Sequence, residues 1–167
     1  MGIEEHKMHA QKTVNCAVIT VSSTRTKEND ISGKTIIGLL EGNGHTVLYY
    51  DVIKDDISLI SNSLEHTLKE EGVQAVILNG GTGIGKKDVT VEAVEPFLEK
   101  ELVGFGELFR YESYKEVGSP AILSRALAGV GEGKIIICLP GSTNACTLAM
   151  EKLILPELGH MVYEVGR

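Results

Sequence analysis

The stretch AVILNGGTGIGKKDVT, residues 75–90, decides how this chain is organised. Its first four residues are apolar and predict a buried strand, and four glycines follow within six positions. Glycine lets backbone N–H groups approach a ligand without a Cβ in the way, and the helix expected from Val89 favours negative charge at its N-terminus. With two lysines and an aspartate beside them, these features predict a site for a phosphorylated ligand together with Mg²⁺.

Strand-like and helix-like segments alternate on both sides of this stretch. Apolar runs predict strands, and apolar residues at helical spacing predict helices. In chain order, the expected elements are strand 14–21, helix 31–40, strand 45–53, helix 57–68, strand 75–78, helix 89–98, helix 105–114, strand 135–139 and helix 142–155. This alternation is typical of an α/β fold, in which helices cover both faces of a mostly parallel sheet.

The turns that follow three of these strands are expected to meet. In open parallel sheets, ligands bind beyond the carboxyl ends of the strands. The glycine loop, the turn at 54–56 and the turn at 140–142 each follow a strand, so all three belong at the same edge of the sheet. Residues far apart in the chain are therefore predicted to form one site.

Composition and charge exclude several classes of function. The chain of 167 residues suffices for one domain with a buried core. We place this domain at residues 13–167, behind a flexible tail at residues 1–12 that lacks the apolar segment of a secretory signal. A formal net charge of −7 argues against nucleic acid as a partner. No apolar run approaches the roughly 20 residues that a membrane helix needs, which argues against a membrane partner.

The cysteines indicate the redox environment. Cys16, Cys138 and Cys146 are odd in number and show no CxxC spacing. Cys16 and Cys138 fall within apolar strand-like runs, which predicts reduced and buried thiols. We therefore expect a cytoplasmic protein.

Two known glycine motifs fit the loop only in part. Gly80, Gly85 and Lys86 have the spacing of a P-loop, but Lys87 stands where a Ser or Thr hydroxyl should bind Mg²⁺. A P-loop also follows the first strand of most such domains, whereas this loop is central. The dinucleotide fingerprint fits less well, because the glycines are spaced G-x-G-x-G.

Aspartates follow two of the predicted strands. Asp88 precedes the Val89 helix, where it could cap that helix or bind Mg²⁺. Asp55 and Asp56 follow the strand that ends at Ile53. One of them could cap the next helix, which would leave the other to face a cation. Two acidic sites that meet at one sheet edge favour the metal-binding interpretation.

Two further residues are candidates for phosphate binding. Ser142 follows Pro140 and Gly141 at a helix start, so it is expected to cap that helix, and an anion can bind at the same N-terminus. Arg125 either clamps a phosphate with its planar guanidinium or forms a surface salt bridge. Aromatic residues bracket Arg110 and belong either to the core or to a subunit contact.

Several motifs in a fixed order identify a family resemblance. They are residues 80–83 (GGTG) with 88–90 (DVT), then 104–107 (GFGE), 122–126 (ILSRA) and 139–142 (LPGS). Together they resemble the MoaB/MogA family of molybdenum cofactor biosynthesis, over residues 14–158. The segment 142–146 (STNAC) is closer to the MoaB branch.

The resemblance implies a fold and a reaction. The fold would be a three-layer α/β/α molybdopterin-binding domain, assembled as a homotrimer or as a hexamer of two trimers. Active members adenylylate molybdopterin at its terminal phosphate with ATP and Mg²⁺, and they release pyrophosphate. Asn79 and the Lys86–Lys87 pair depart from the usual family residues, but neither departure removes a carboxylate.

The resemblance also implies site residues. The two acidic positions that would carry catalysis and hold the metal are Asp55 and Asp88. Substrate or phosphate would be bound by residues of the loops at the sheet edge, namely Gly80, Gly81, Thr82, Gly83, Ser142, Ser22 and Asp30. From the residues alone, the basic side chains Lys86, Lys87 and Arg125 join this set. Such chemistry needs positioning and charge neutralisation more than covalent catalysis.

Two other functions remain open from the sequence. The chain could be a carrier that binds molybdopterin without chemistry and passes it to another cofactor-biosynthesis enzyme. Absence of Asp55 or Asp88 would have favoured the carrier hypothesis, but both residues are present. It could also be a nucleotide hydrolase related to the competence-damage proteins, which the lack of an extra domain argues against.

Overall fold

The computed structural model describes residues 2–167, apart from the side chain of His6. In chain order its strands and helices are α1 (Ile3–Met8), β1 (Asn15–Val21), α2 (Ile31–Gly42), β2 (Thr46–Ile53), α3 (Ile57–Lys69), β3 (Ala75–Asn79), α4 (Thr90–Val94), β4 (Lys100–Glu101), α5 (Val103–Val117), β5 (Leu127–Gly131), β6 (Lys134–Leu139), α6 (Thr143–Ala149) and α7 (Leu155–Gly166). Short 3₁₀ turns at Glu95–Phe97 and Ser119–Leu123 join some of them, and a π-helical turn at Met150–Ile154 links α6 to α7.

The strands form one six-stranded sheet in the order β2-β1-β3-β6-β5-β4. The first four run parallel, while β5 is antiparallel to both β6 and β4. The predicted α/β fold with a mostly parallel sheet is therefore confirmed. No helix within residues 2–167 is long and apolar enough to cross a membrane.

Alternation along the strands builds a core on each face of the sheet. In β3, Ala75 and Ile77 pack into one cluster with α2, α6 and α7, whereas Val76 and Leu78 pack into the other with α3 and α4. All four are fully buried, because successive side chains of a strand point to opposite faces. Burial on both faces explains the continuous apolar runs, and it gives the three layers that the family resemblance implies.

Several expected element boundaries are corrected by the structure. The helix expected at 89–98 ends as an α-helix at Val94, and the one expected at 105–114 extends over Val103–Val117. Pro156 does not end the helical segment that begins after Ser142. It lies in the first turn of α7, where its missing N–H costs little, and the π-helical turn before it absorbs the break.

Strand β5 had no clear signal in the sequence. Its residues, LAGVG, are mostly small, and the strand lies between β6 and β4 in the sheet, antiparallel to both. A Cβ on Gly131 would lie 2.2 Å from the carbonyl oxygen of Phe97, so the chain needs glycine where that turn passes close by. Close approach of backbone therefore explains this glycine, whereas Leu127 and Ala128 are buried in the core.

The segment before β1 contains a helix and contacts α7. Helix α1 lies within it, Lys7 Nζ pairs with Glu157 at 3.0 Å, and the Gln11 N–H donates to the Gly159 carbonyl at 3.2 Å. These contacts connect the segment to α7. The domain boundary at residues 12 and 13 stays a prediction.

The three cysteines are free and buried, as expected for Cys16 and Cys138. Burial raises the pKa of the Cys16 thiol to about 12. A thiol with so high a pKa carries almost no thiolate at neutral pH, so Cys16 acts as a small apolar core residue.

Candidate functional site

Four loops meet beyond the carboxyl ends of the parallel strands. The Ser22 N–H donates to the Ile53 carbonyl at 2.7 Å, and the Gly80 N–H donates to the Leu139 carbonyl at 2.9 Å. Arg25 Nη1 donates to the Gly141 carbonyl at 3.1 Å. The loops after β1, β2, β3 and β6 are thus in direct contact, and the predicted convergence at one sheet edge is confirmed.

The glycine loop is shaped by positive backbone angles and close packing. Gly80 has φ +98° and Gly81 has φ +72°. A Cβ would lie 2.2 Å from the Val21 carbonyl oxygen at the first position and 2.3 Å from Thr90 Oγ1 at the second. The Thr90 hydroxyl also donates to the Gly80 carbonyl at 2.7 Å. Only glycine fits both positions, so the loop holds one tight conformation.

Asp88 is held by the glycine loop and does not cap a helix. Its Oδ2 accepts from the Gly85 N–H at 2.8 Å. Helix α4 begins later, at Thr90, and its N-cap Val89 provides no side-chain cap. The other oxygen of Asp88, Oδ1, has no hydrogen bond or ion pair with any residue that the structure describes. The capping alternative is therefore wrong, and one oxygen remains available to a ligand.

The structure also separates Asp55 from Asp56. Asp56 caps α3, since its Oδ1 accepts from the Leu59 N–H at 2.9 Å. Asp55 points to the neighbouring loop instead, where its Oδ2 accepts from both the N–H and the hydroxyl of Ser23 at 2.8 Å. Its Oδ1 has no bonding partner among residues 2–167. Asp55 therefore presents one anchored and one available oxygen, as Asp88 does.

This donor set fits Mg²⁺ shared with a phosphorylated ligand. Within the described part of the chain, no three His, Cys, Asp or Glu side chains are grouped to hold a metal ion. Magnesium typically takes one or two protein carboxylates, and it completes its shell with waters and substrate phosphates. Asp55 and Asp88 each offer one available carboxylate oxygen, the kind of ligand that Mg²⁺ prefers.

Arg125 braces the glycine loop from outside. Its Nε donates to the Gly83 carbonyl at 2.8 Å, its Nη2 donates to the Asp88 carbonyl at 2.9 Å, and it forms a salt bridge with Glu92. The hydrogen bond from the Arg125 guanidinium lowers the pKa of Glu92. The salt-bridge alternative is present, and every guanidinium nitrogen already has a protein partner. Phosphate binding by Arg125 stays a prediction that these contacts do not favour.

The remaining predicted residues differ in their access to a ligand. Lys86 and Lys87 are exposed at the tip of the loop. Ser142 caps α6, as expected, by accepting from the Ala145 N–H at 3.3 Å. Ser22 shapes its own loop, since its Oγ accepts from the Arg25 N–H at 3.1 Å. Thr82 is buried, and its carbonyl accepts from the Arg125 N–H at 2.9 Å.

Asp30 belongs to a buried polar network rather than to the site surface. It is fully buried, caps α2 through the Gly33 N–H, and accepts from the Tyr50 hydroxyl at 2.6 Å. Burial alone would raise the pKa of Asp30, but hydrogen bonds from Thr20, Tyr50, Gly33 and Ser32 lower it overall. Substrate binding by Asp30 stays a prediction that its burial does not favour.

Asn79 joins that network to the root of the glycine loop. Its Oδ1 accepts from the Ser32 hydroxyl and its Nδ2 donates to Thr20 Oγ1, both at 2.8 Å. This role was not predicted from the sequence, although a polar residue at the end of an apolar strand was a usable signal. Burying a polar group is favourable only when it is hydrogen-bonded, which the network achieves.

A cavity of about 430 Å³ opens beside Ser142. Its walls come from α5, the 3₁₀ turn at Ser119–Leu123 and the start of α6, and they include Phe109, Pro120, Pro140, Asn144 and Leu148. A mostly apolar cavity with a few polar groups, of this size, is typical of small-molecule sites.

Comparisons with known proteins agree with this geometry. The model of a family described as "Probable molybdopterin binding domain" matches residues 17–160. The molybdenum cofactor biosynthesis protein B of Bacillus anthracis is 51% identical over 168 aligned residues, covering 100% of this chain and 99% of the relative.

Solved structures agree as well. A crystal structure of a molybdenum cofactor biosynthesis protein B superposes with a TM-score of 0.91 at 50% identity, covering 95% of this chain and 99% of the other. The tungsten cofactor synthesizing protein MoaB from Pyrococcus furiosus superposes with a TM-score of 0.85 at 38% identity, covering 95% of this chain and 100% of the other.

Proposed function

The chain belongs to the MoaB family of molybdenum cofactor biosynthesis proteins and carries its molybdopterin-binding domain, and on this premise we propose that it adenylylates molybdopterin with ATP and Mg²⁺. One observation carries the proposal. Asp55 and Asp88 each anchor one carboxylate oxygen in a loop and leave the other available, at the sheet edge where the glycine loop lies.

The proposed reaction transfers a nucleotidyl group without a covalent enzyme intermediate. An oxygen of the pterin's terminal phosphate attacks the α-phosphorus of ATP and forms a new P–O bond. The bond between the α-phosphorus and its bridging oxygen breaks, and pyrophosphate leaves with that electron pair. Mg²⁺ held by Asp55 and Asp88 would neutralise the charge that develops on the phosphate oxygens.

The chain's own groups would position the two substrates. The rigid glycine loop and the exposed Lys86 and Lys87 supply N–H groups and positive charge for the ATP phosphates. The cavity beside Ser142 supplies an apolar wall for the pterin ring. Holding both reactants in line lowers the barrier because it removes their translational freedom before the reaction begins.

We further propose that the protein works in the cytoplasm as a homotrimer or hexamer. Support for assembly comes from apolar and aromatic side chains that are exposed on α5 and the 3₁₀ turn after it, among them Leu108, Tyr111, Tyr114 and Ile122. Exposed patches of this kind commonly mark protein interfaces. Sedimentation at micromolar concentration would measure the assembly state.

Transfer of label from ATP tests the proposed activity. Purified protein is mixed under anaerobic conditions with molybdopterin, Mg²⁺ and ATP labelled at the α-phosphate. We expect label on the pterin with the native protein, and loss of nearly all transfer with Asp88→Asn. The matched control is Glu101→Gln, an exposed carboxylate on the edge strand β4, which should transfer normally. Pterin binding without transfer in any sample would identify a carrier instead.

A further inference from the structure

The guanidinium group of Arg25 is held by hydrogen bonds where two loops of the site meet. Its Nη1 donates to the Ser32 hydroxyl at 2.7 Å and to the Gly141 carbonyl at 3.1 Å. About a third of its side chain, 35%, is exposed. The guanidinium is therefore held in place, and it also reaches the surface beside the turn that leads to Ser142.

Most hydrogen-bond donors of Arg25 are not used by the protein. The two Nη1 hydrogens go to Ser32 and Gly141, whereas Nε and Nη2 donate to no residue that the structure describes. The nearest carboxylate, Asp30, lies 3.9 Å from Nη1 and already accepts hydrogen bonds from Tyr50 and Gly33. Nε and Nη2 form the fork that binds two oxygens of one phosphate.

Four other basic groups of this edge differ from Arg25. Arg125 uses all its nitrogens on Gly83, Asp88 and Glu92. Lys27, in the same loop as Arg25, pairs with Asp51 at 3.3 Å. Lys86 and Lys87 are exposed at a loop tip. Arg25 combines a braced position with available donors, which is the arrangement that a binding residue needs.

We propose that Arg25 binds the terminal phosphate of the pterin substrate, an assignment that rests on the proposed function. Its partner Gly141 precedes Ser142, which lines the cavity assigned to the pterin. Arg25 also follows Ser23, which anchors Asp55. A phosphate held by Arg25 would thus lie between the pterin cavity and the available oxygen of Asp55, where the attacking oxygen is required.

Binding measurements test this assignment without requiring turnover. Dissociation constants are measured anaerobically for molybdopterin and for the same pterin after a phosphatase has removed its phosphate. The native protein should prefer the phosphorylated form. Arg25→Met should weaken molybdopterin binding about 10–100-fold and leave the affinity for the dephosphorylated pterin unchanged. Lys27→Met, which removes the same charge from the same loop, should keep the native preference.

A second variant separates binding from folding. Arg25→Lys keeps the charge but loses the planar fork, so we expect an intermediate loss of about 3–10-fold for molybdopterin only. Thermal unfolding of each variant is measured in parallel. An equal loss for both pterins, or native affinity for molybdopterin in Arg25→Met, would overturn the assignment.

The binding measurements and the label-transfer experiment can distinguish failure of the Arg25 assignment from failure of the proposed activity. If the native protein prefers the phosphorylated pterin through Arg25 but transfers no label, the proposed activity fails and the assignment of Arg25 stands. If the native protein binds neither pterin, both proposals are wrong.

Discussion

The turn after β2 and the loop after β3 each bring one aspartate to the same edge of the sheet, by different means. Asp88 is held by Gly85, within its own loop, and that loop is braced by Arg125. Asp55 is held by Ser23, which belongs to a different loop. Its neighbour Asp56 is the residue with a local role, as the cap of α3.

The difference shows how two equivalent groups can depend on different parts of the chain. The position of Asp88 follows from glycines that are close in sequence and leave the loop little freedom. The position of Asp55 exists only once β1 and β2 have paired and brought their loops together. We therefore expect substitutions of the loop glycines beside Asp88 to affect folding, and loss of the contact between Ser23 and Asp55 to affect mainly the reaction.

The largest expected effect separates Asp55 from Asp56. Asp55→Asn removes a proposed metal ligand, so label transfer should fall about 10²–10³-fold, with the urea unfolding midpoint nearly unchanged. Asp56→Ala removes a helix cap and should lower the free energy of unfolding by about 1 kcal/mol, with transfer retained. The opposite result, with transfer lost in Asp56→Ala alone, would exchange the roles of these two residues.

The second-largest effect is expected from the close backbone contact within the glycine loop. Gly80→Ala places a Cβ 2.2 Å from the Val21 carbonyl oxygen at φ +98°, and it should lower the free energy of unfolding by about 3 kcal/mol. The control is Gly133→Ala, at φ +71° with no atom within 4 Å of the added Cβ. It should cost about 1–2 kcal/mol, from backbone strain alone. Equal losses in urea unfolding would show that the close contact is not decisive.

A smaller effect is expected from the anchor of Asp55. Ser23→Ala removes the hydroxyl that donates to Asp55 Oδ2 and accepts from the Asp55 N–H, but it keeps the backbone N–H that donates to Oδ2. Transfer should slow about five- to tenfold, in proportion to one charge-assisted hydrogen bond. Thr24→Ala, in the same loop but bonded to Ser22 instead, should transfer at the native rate. No slowing in Ser23→Ala would mean that the backbone alone holds Asp55.

The smallest effect concerns the buried network behind both loops. Because the folded pKa of Asp30 lies below its ordinary value of 3.8, its ionised form stabilises the native state above that pH. This contribution should be lost as the pH falls from 3.8 through the folded pKa. Tyr50→Phe removes one hydrogen bond that lowers the pKa, so its stability should decline less over the same range. Urea midpoints between about pH 2 and pH 6 would measure this, and identical slopes would exclude a role for Tyr50.

Much of the fold could be predicted because its signals are local. The continuous apolar runs in β1, β3 and β6 indicate strands buried on both faces, and Ser142 caps a helix where the sequence predicts a cap. Strand β5 was not predicted, because its small residues show no alternation of apolar and polar positions. The helix end expected at Pro156 was wrong, because a π-helical turn before this proline lets the helical segment continue into α7.

The location of the site could be predicted from the sequence, but the contacts between its residues could be predicted only in part. Convergence of the loops follows from strand order alone, so the positions of the glycine loop and the aspartates were correct. The partners of Arg125 and Arg25 were not predictable, because each guanidinium reaches loops that are distant in the sequence. A long flexible side chain carries no local signal of where its head group will bind.

The sequence by itself determined the family, the α/β architecture and the glycine loop, because apolar periodicity, glycine freedom and helix capping act over a few neighbouring residues. Only the tertiary structure decided that Asp55 faces the site while Asp56 caps a helix, that Arg125 braces the glycine loop, and that Arg25 keeps donors available. Each of these outcomes depends on a partner from another loop. Such partners meet only after the parallel strands have paired, so no local pattern can encode which atoms they will share.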